Sequence, residues 1–337
     1  MKTKKTKLGC CKALLFIAYA GLICVTFGYG PFGVGLYAEV NRERAEEYFN
    51  DANEAYNKGN LQKAKSAYEK TIAAYPDHPA AHYNLAVVLA ELKDVNGAIA
   101  EYKEALRVNP QDAVSHNNLG NLYDEQGNTD LAMLEFNQAV KIDPQSPLAR
   151  NSLGNLYYKQ GKYEEAVKEF QEVVRLVPEE TYGYNNLGNT YYKMGRYDDA
   201  AAQYNIALEI EPRTIHLLTN KAQAYIKKGN YAFALECLRD AAKYAPDNAT
   251  VYNLLGDVNV IKGDDAEAAK NYKKAIDLKK DYADVYYKLG KLYRSVDTKE
   301  SIRYLKEYLK YGSNAIRKVQ VEKYLKYLES KEKEESK

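Results

Sequence analysis

Along most of this chain apolar and polar positions recur with the period of an amphipathic helix, in runs broken at regular intervals. In residues 181–212, Tyr184, Leu187, Gly188 and Tyr191 form one helical stripe, and Ala200, Tyr204, Ala207 and Leu208 form a second. Met194, Gly195 and Arg196 separate the stripes, where a glycine ends a helix by taking a positive φ. Pro212 closes the unit, because proline cannot continue a helix. The pattern predicts helix, tight turn, helix. Gly188 and Ala200 would let the two backbones approach, with Leu187, Tyr191 and Tyr204 filling the space beside them.

The same pattern returns along the chain. Prolines at 76, 110, 144, 178, 212 and 246 are each 34 residues apart. In phase run small residues at Ala52, Ala86, Gly120, Gly154, Gly188, Ala222, Gly256 and Gly290, and alanines at 64, 98, 132, 166, 200, 234 and 268. Self-similarity at one fixed stride predicts a single supersecondary unit stacked repeatedly. One pair cannot cover its own apolar faces, so each copy depends on its neighbours.

These residues resemble the tetratricopeptide repeat over about four fifths of the chain, residues 45–313. The resemblance implies an all-α, right-handed superhelical solenoid of about eight helix-turn-helix repeats, starting near residues 45, 79, 113, 147, 181, 215, 249 and 283. The terminal copies depart from the family pattern. Asp51 and Ala55 stand where a leucine and a tyrosine are usual, Lys280 replaces the proline, and the eighth copy is short by one residue around Val296, Asp297 and Thr298. Atypical terminal copies are expected of caps. Beyond them Ile316, Val319, Val321, Tyr324, Leu325 and Leu328 predict an amphipathic capping helix over residues 314–330, followed by a charged, disordered tail at 331–337.

Charge changes the picture only at the N-terminus. The whole chain carries +2, but five lysines lie in residues 1–12, leaving 43 basic against 46 acidic side chains elsewhere. Residues 13–38 hold no charged residue, long enough for a helix to cross a bilayer core of ~30 Å. We read 1–12 as a basic cytoplasmic tail, 13–38 as an uncleaved transmembrane anchor and 39–44 as a linker, with the helix ending near Pro31. The positive-inside rule then places the repeats across the membrane, as in the bacterial inner-membrane tetratricopeptide proteins of secretion or envelope assembly that this architecture resembles. A cleaved signal peptide ending at Ala18, Tyr19 and Ala20 is the alternative, but its apolar core would be unusually short. Ala20, Cys24 and Gly28 form a small-xxx-small series, which would favour pairing of two copies. Cys10 and Cys11 stand where acylation could occur, although two tolerated small residues is the simpler reading.

Candidate chemistry lies on the face of each first helix opposite its apolar stripe. There stand Asn50, Asn84, Asn118, Asn186 and Asn220 in phase, with Ser152 in the gap, and one turn on Asn53, Asn121, Asn155 and Asn189, then Gln223 and Asp257. A carboxamide offers donors and an acceptor, so such a ladder, with nothing inside the molecule to bond, can hold the backbone of an extended peptide. In O-linked N-acetylglucosamine transferases and peroxisomal import receptors, asparagines at matching places grip peptide backbone, which is what the resemblance implies here. Tyr56, Tyr158 and Tyr192 lie a further turn along and suit side-chain anchoring. The partner expected is therefore a protein or peptide, held by a scaffold or adaptor with no catalytic role. A substrate-recruiting accessory of a separate glycosyltransferase or protease, or a cytosol-facing import or chaperone receptor, is the alternative.

Other chemistries are not supported. The charge balance outside the tail provides no nucleic-acid surface. His82 and His116 occupy equivalent places one copy apart, a distance of at least ~8–10 Å, whereas two ligands of one metal sit at ~2 Å from it. Gly28, Gly30 and Gly33 match a dinucleotide fingerprint, but with Pro31 inside it and without the strand-to-helix context the motif needs. No cofactor is expected.

Overall fold

The computed structural model describes residues 31–335. Among these every regular element is helical: seventeen α-helices and one 3-10 turn. They succeed one another as pairs: α1 (Pro31–Asn57) and α2 (Leu61–Ala74), α3 (Pro79–Glu91) and α4 (Val95–Val108), α5 (Ala113–Glu125) and α6 (Thr129–Ile142), α7 (Pro147–Lys159) and α8 (Tyr163–Leu176). Then follow α9 (Thr181–Lys193) and α10 (Tyr197–Ile210), α11 (Ile215–Lys228) and α12 (Tyr231–Tyr244), α13 (Ala249–Lys262) and α14 (Asp265–Leu278), α15 (Ala283–Leu292) and α16 (Thr298–Tyr311), and the single helix α17 (Ala315–Glu335). With α17 the helical array extends beyond eight copies. Two compact units divide the chain, one ending at Ala149 and the other beginning at Arg150.

The turn inside each pair follows from its glycine. Gly195 takes φ +76°, its N–H bonds Tyr192 O at 3.1 Å, and Arg196 N–H bonds Tyr191 O at 2.9 Å. These bonds satisfy carbonyls that the end of α9 would otherwise leave open. In the second copy Lys93 occupies this place at φ +67°, a conformation costing a residue with a Cβ about 1–2 kcal/mol. Side-chain caps open α2, α4 and α14, where Asn60 accepts from Lys63 N–H at 3.1 Å, Asp94 from Gly97 N–H at 3.0 Å and Asp264 from Glu267 N–H at 3.1 Å, whereas α6, α8, α10 and α12 start without one.

Packing within a pair is set by the small residues. A Cβ at Gly188 would lie 2.5 Å from the ring of Tyr204, and one at Gly154 would lie 2.7 Å from Phe170. Tyr204 is 1% exposed and shares a core with Tyr184, Leu187, Tyr191, Ala200 and Ala207. The two predicted stripes of this copy thus meet across the pair. Overpacking at such a contact costs about 1–3 kcal/mol.

Three expectations need correction. Residues 39–44 are not a linker, because α1 runs through them to Asn57: past Gly35 it meets no proline or glycine, and Glu, Arg and Ala propagate a helix well. Residues 331–335 are helical, because α17 continues through alternating lysine and glutamate to Glu335. Only part of the expected capping stripe faces inward. Val321, Leu325 and Leu328 are buried in the core of the last pair, while Ile316 and Val319 are 75% and 65% exposed. In the shortened eighth copy a 3-10 turn, Tyr293–Ser295, takes the place of the glycine turn. No helix among the described residues is long and apolar enough to cross a membrane. The basic tail, the anchor up to residue 30, Cys10, Cys11 and the Ala20, Cys24, Gly28 series lie outside the described residues.

Candidate functional site

The predicted carboxamides stand on the first helices, and most of them are engaged within the chain. In the first unit Asn84 Nδ2 donates to Asn53 Oδ1 at 3.2 Å, which also accepts Tyr68 Oη at 2.6 Å. Asn118 Nδ2 donates to the hydroxyls of Tyr102 at 3.2 Å and Tyr83 at 3.3 Å. In the second unit Asn186 Nδ2 donates to Asn151 Oδ1 at 2.8 Å. Asn220 Nδ2 donates to Asn189 Oδ1 at 3.3 Å and Asn185 Oδ1 at 3.4 Å, and Tyr204 Oη donates to Asn189 Oδ1 at 2.8 Å. The series ends with Lys288 Nζ, 2.7 Å from both Asn253 Oδ1 and Asp257 Oδ2, and with Tyr272 Oη donating to Asp257 Oδ1 at 2.6 Å.

The expectation that these amides find no internal partner is therefore corrected. The reason is geometric. A stride of 34 residues brings a first-helix residue against the previous first helix, between the residues 31 and 35 positions earlier. Those two are separated by one helical turn, so carboxamides at both places bracket the incoming side chain. The bonds remain partial. A carboxamide has two N–H donors and a two-pair acceptor, and no hydrogen bond reaches Oδ1 of Asn84, Asn118, Asn186 or Asn220 among the described residues. Asn50 is exposed. Asn121 and Asn155 are half-buried, and neither has a hydrogen-bond partner among the described residues.

The expected tyrosine series splits. Tyr56 Oη donates to Glu91 Oε1 at 2.5 Å, and that carboxylate, aided by burial, pushes the phenol up to about 12. Tyr158 and Tyr192 make edge contacts with Tyr163 and Tyr197 at 5.7 and 5.5 Å, and burial raises both phenols. Burial holds the Tyr204 phenol well above its ordinary range, with smaller contributions from Tyr158 and Tyr192. In the second unit, then, Asn155, Asn189, Tyr158 and Tyr192 are carried by the first helices of successive copies.

A second set of paired groups was not anticipated. His82 Nδ1 stands 2.6 Å from Glu101 Oε2 and its Nε2 2.8 Å from Pro76 O. His116 repeats the arrangement with Glu135 at 2.6 Å and Pro110 O at 3.3 Å. At the next equivalent place Arg150 Nη1 meets Glu169 Oε2 at 2.8 Å. The signal was present in the register: a basic residue followed 19 positions later by glutamate, in three consecutive copies. Each histidine has its own carboxylate, and no group of three or more metal-ligating side chains occurs among the described residues. Cys237 is buried, and burial raises its thiol.

Comparison with known proteins bears on the fold. Models described as TPR repeat match residues 121–161, 154–195, 222–263 and 256–295, and models described as tetratricopeptide repeat match 49–113, 101–133 and 181–213. No curated protein matches the chain. Among solved structures, a tetratricopeptide repeat protein from Parabacteroides merdae is 21% identical with a TM-score of 0.55, covering 72% of this chain and 96% of its own. The pilF protein of Pseudomonas aeruginosa is 22% identical with a TM-score of 0.51, covering 60% and 91%. The Cut9–Hcn1 hetero-tetramer of the APC/C matches at 16% identity and a TM-score of 0.52, over 81% of this chain and 54% of that one. At these identities the likeness is one of fold.

Proposed function

We propose that this chain, which belongs to the tetratricopeptide repeat family, is a protein-binding scaffold that holds an extended segment of a partner by its backbone. The observation that carries the reading is the set of first-helix carboxamides with hydrogen-bonding capacity left over. Asn84 and Asn186 each use one N–H, and Asn121 and Asn155 use none. Groups of this kind, fixed on rigid helices, meet the alternating N–H and C=O of an extended chain without first having to be ordered. Tyr158 and Tyr192 supply aromatic surface beside them for side chains.

The scaffold is tethered in this reading. Residues 13–38 carry no charge and residues 1–12 carry five lysines, which supports a membrane anchor with the repeats on the far side of the membrane from the basic tail. One experiment addresses both parts. Cells carrying a photoreactive amino acid at Tyr192, or at the exposed second-helix position Ala202, are irradiated and their membranes washed with alkaline carbonate. We expect the chain in the pellet, with a crosslinked protein at Tyr192 and none at Ala202. Release of the chain by carbonate contradicts the tether. Crosslinks of equal yield at both positions contradict the binding face.

A further inference from the structure

One residue of each second helix divides the first-helix amides into two classes. Tyr68, Tyr204 and Tyr272 are followed through the copies by their hydroxyls, which donate to Asn53, Asn189 and Asp257, each 15 residues earlier. At the equivalent place other copies carry Phe136, Phe170 and Leu238, which have no hydroxyl. The residues 15 positions before them are Asn121, Asn155 and Gln223, and none of these three side chains has a hydrogen bond among the described residues. Tyr102 is the informative exception. Val87 stands 15 positions before it, so its hydroxyl accepts from Asn118 instead.

All of these rings do the same packing work. Phe136, Phe170 and Tyr204 lie at 2.7, 2.7 and 2.5 Å from where a Cβ on Gly120, Gly154 and Gly188 would be. Each is 1% exposed. The hydroxyl is therefore an addition to a ring that packing already places, and its presence or absence is free to serve another purpose. We propose that this hydroxyl is a register selector: a second-helix tyrosine occupies the carboxamide oxygen of its own copy, and phenylalanine or leucine leaves it open, so that in the second unit Asn155 and Gln223 are the rungs that accept the backbone N–H groups of an extended polypeptide. The proposal rests on the backbone-binding reading given above and adds which rungs take part. It makes Asn189, though identical in type and register to Asn155, a structural residue.

The test uses the full-length protein and, as probe, a permanently unfolded polypeptide, reduced and carboxymethylated α-lactalbumin. Affinities are measured for the wild type, N155A, F170Y, the double variant N155A/F170Y and Y204F. Tyrosine is accommodated at this place in four other copies, so F170Y is expected to fold, with thermal stability and helix content as checks. We expect F170Y to weaken binding about three- to tenfold, the range of one ordinary hydrogen bond, and to have no further effect once Asn155 is alanine. Y204F, which frees one acceptor position of Asn189 Oδ1 while Asn220 Nδ2 keeps the other, is expected to tighten binding by at most a similar factor, and it tests the selector even should F170Y not fold. Unchanged affinity in F170Y and Y204F, with the wild type binding the probe, overturns the selector and leaves the backbone-binding reading standing. A wild type that does not bind the probe overturns both.

Discussion

His82 is 5% exposed and has an acceptor at each ring nitrogen, Glu101 Oε2 at 2.6 Å and Pro76 O at 2.8 Å. Only imidazolium carries an N–H on both nitrogens, so the pocket is shaped for the cation. Arg150, permanently charged, fills the equivalent place opposite Glu169. The bond to Glu101 raises the His82 pKa first, burial opposes it, and Pro76 O, the charge of Glu101 and that of Glu104 add to the rise. A folded pKa above the unfolded value of about 6.5 means the stabilisation is complete below that pH and is lost as pH rises through the folded pKa. Thermal midpoints measured from pH 5.5 to 8.5 should therefore fall more steeply for the wild type than for H82R, which copies the fourth copy's arginine. Parallel profiles would show that His82 is neutral in the folded chain.

Between elements, the asparagine bonds act as stitches from one first helix to the next. Asn186→Ala removes the 2.8 Å bond to Asn151 and should lower stability by about 0.5–1.5 kcal/mol, read as a shift in the denaturant midpoint with unchanged slope. A midpoint equal to that of the wild type would mean the amide is wholly available to a ligand. Much at this scale was legible in the chain. Gly195 and Pro212 announce the ends of α9 and α10, and Gly188 with Tyr204 announces the close contact between them. What escaped has a common cause. The 3-10 turn at Tyr293–Ser295 and the bond from Asn220 to Asn189 depend on what a neighbouring element offers, which periodicity within one copy does not contain. The distinction between Tyr204 and Phe170 escaped for another reason: both satisfy the apolar stripe equally, and only the position of Asn189 beneath the hydroxyl gives the difference meaning.

For the molecule as a whole, stability in a repeat array is close to a sum of pair stabilities and nearest-neighbour contacts. The surface can therefore vary from copy to copy while the stack persists, as Asn84, Asn118, Asn220 and Lys288 do at one register position. The account's central claim is that such a stack recognises main chain rather than side chains. It is tested most directly with the partner segment crosslinked at Tyr192, synthesised in three forms: native, with alternate backbone amides N-methylated, and with its side-chain order scrambled. Backbone recognition predicts that N-methylation weakens binding more than about tenfold, roughly 1.4 kcal/mol, while scrambling changes it by only a few-fold. Binding that survives N-methylation and is lost on scrambling would contradict the account.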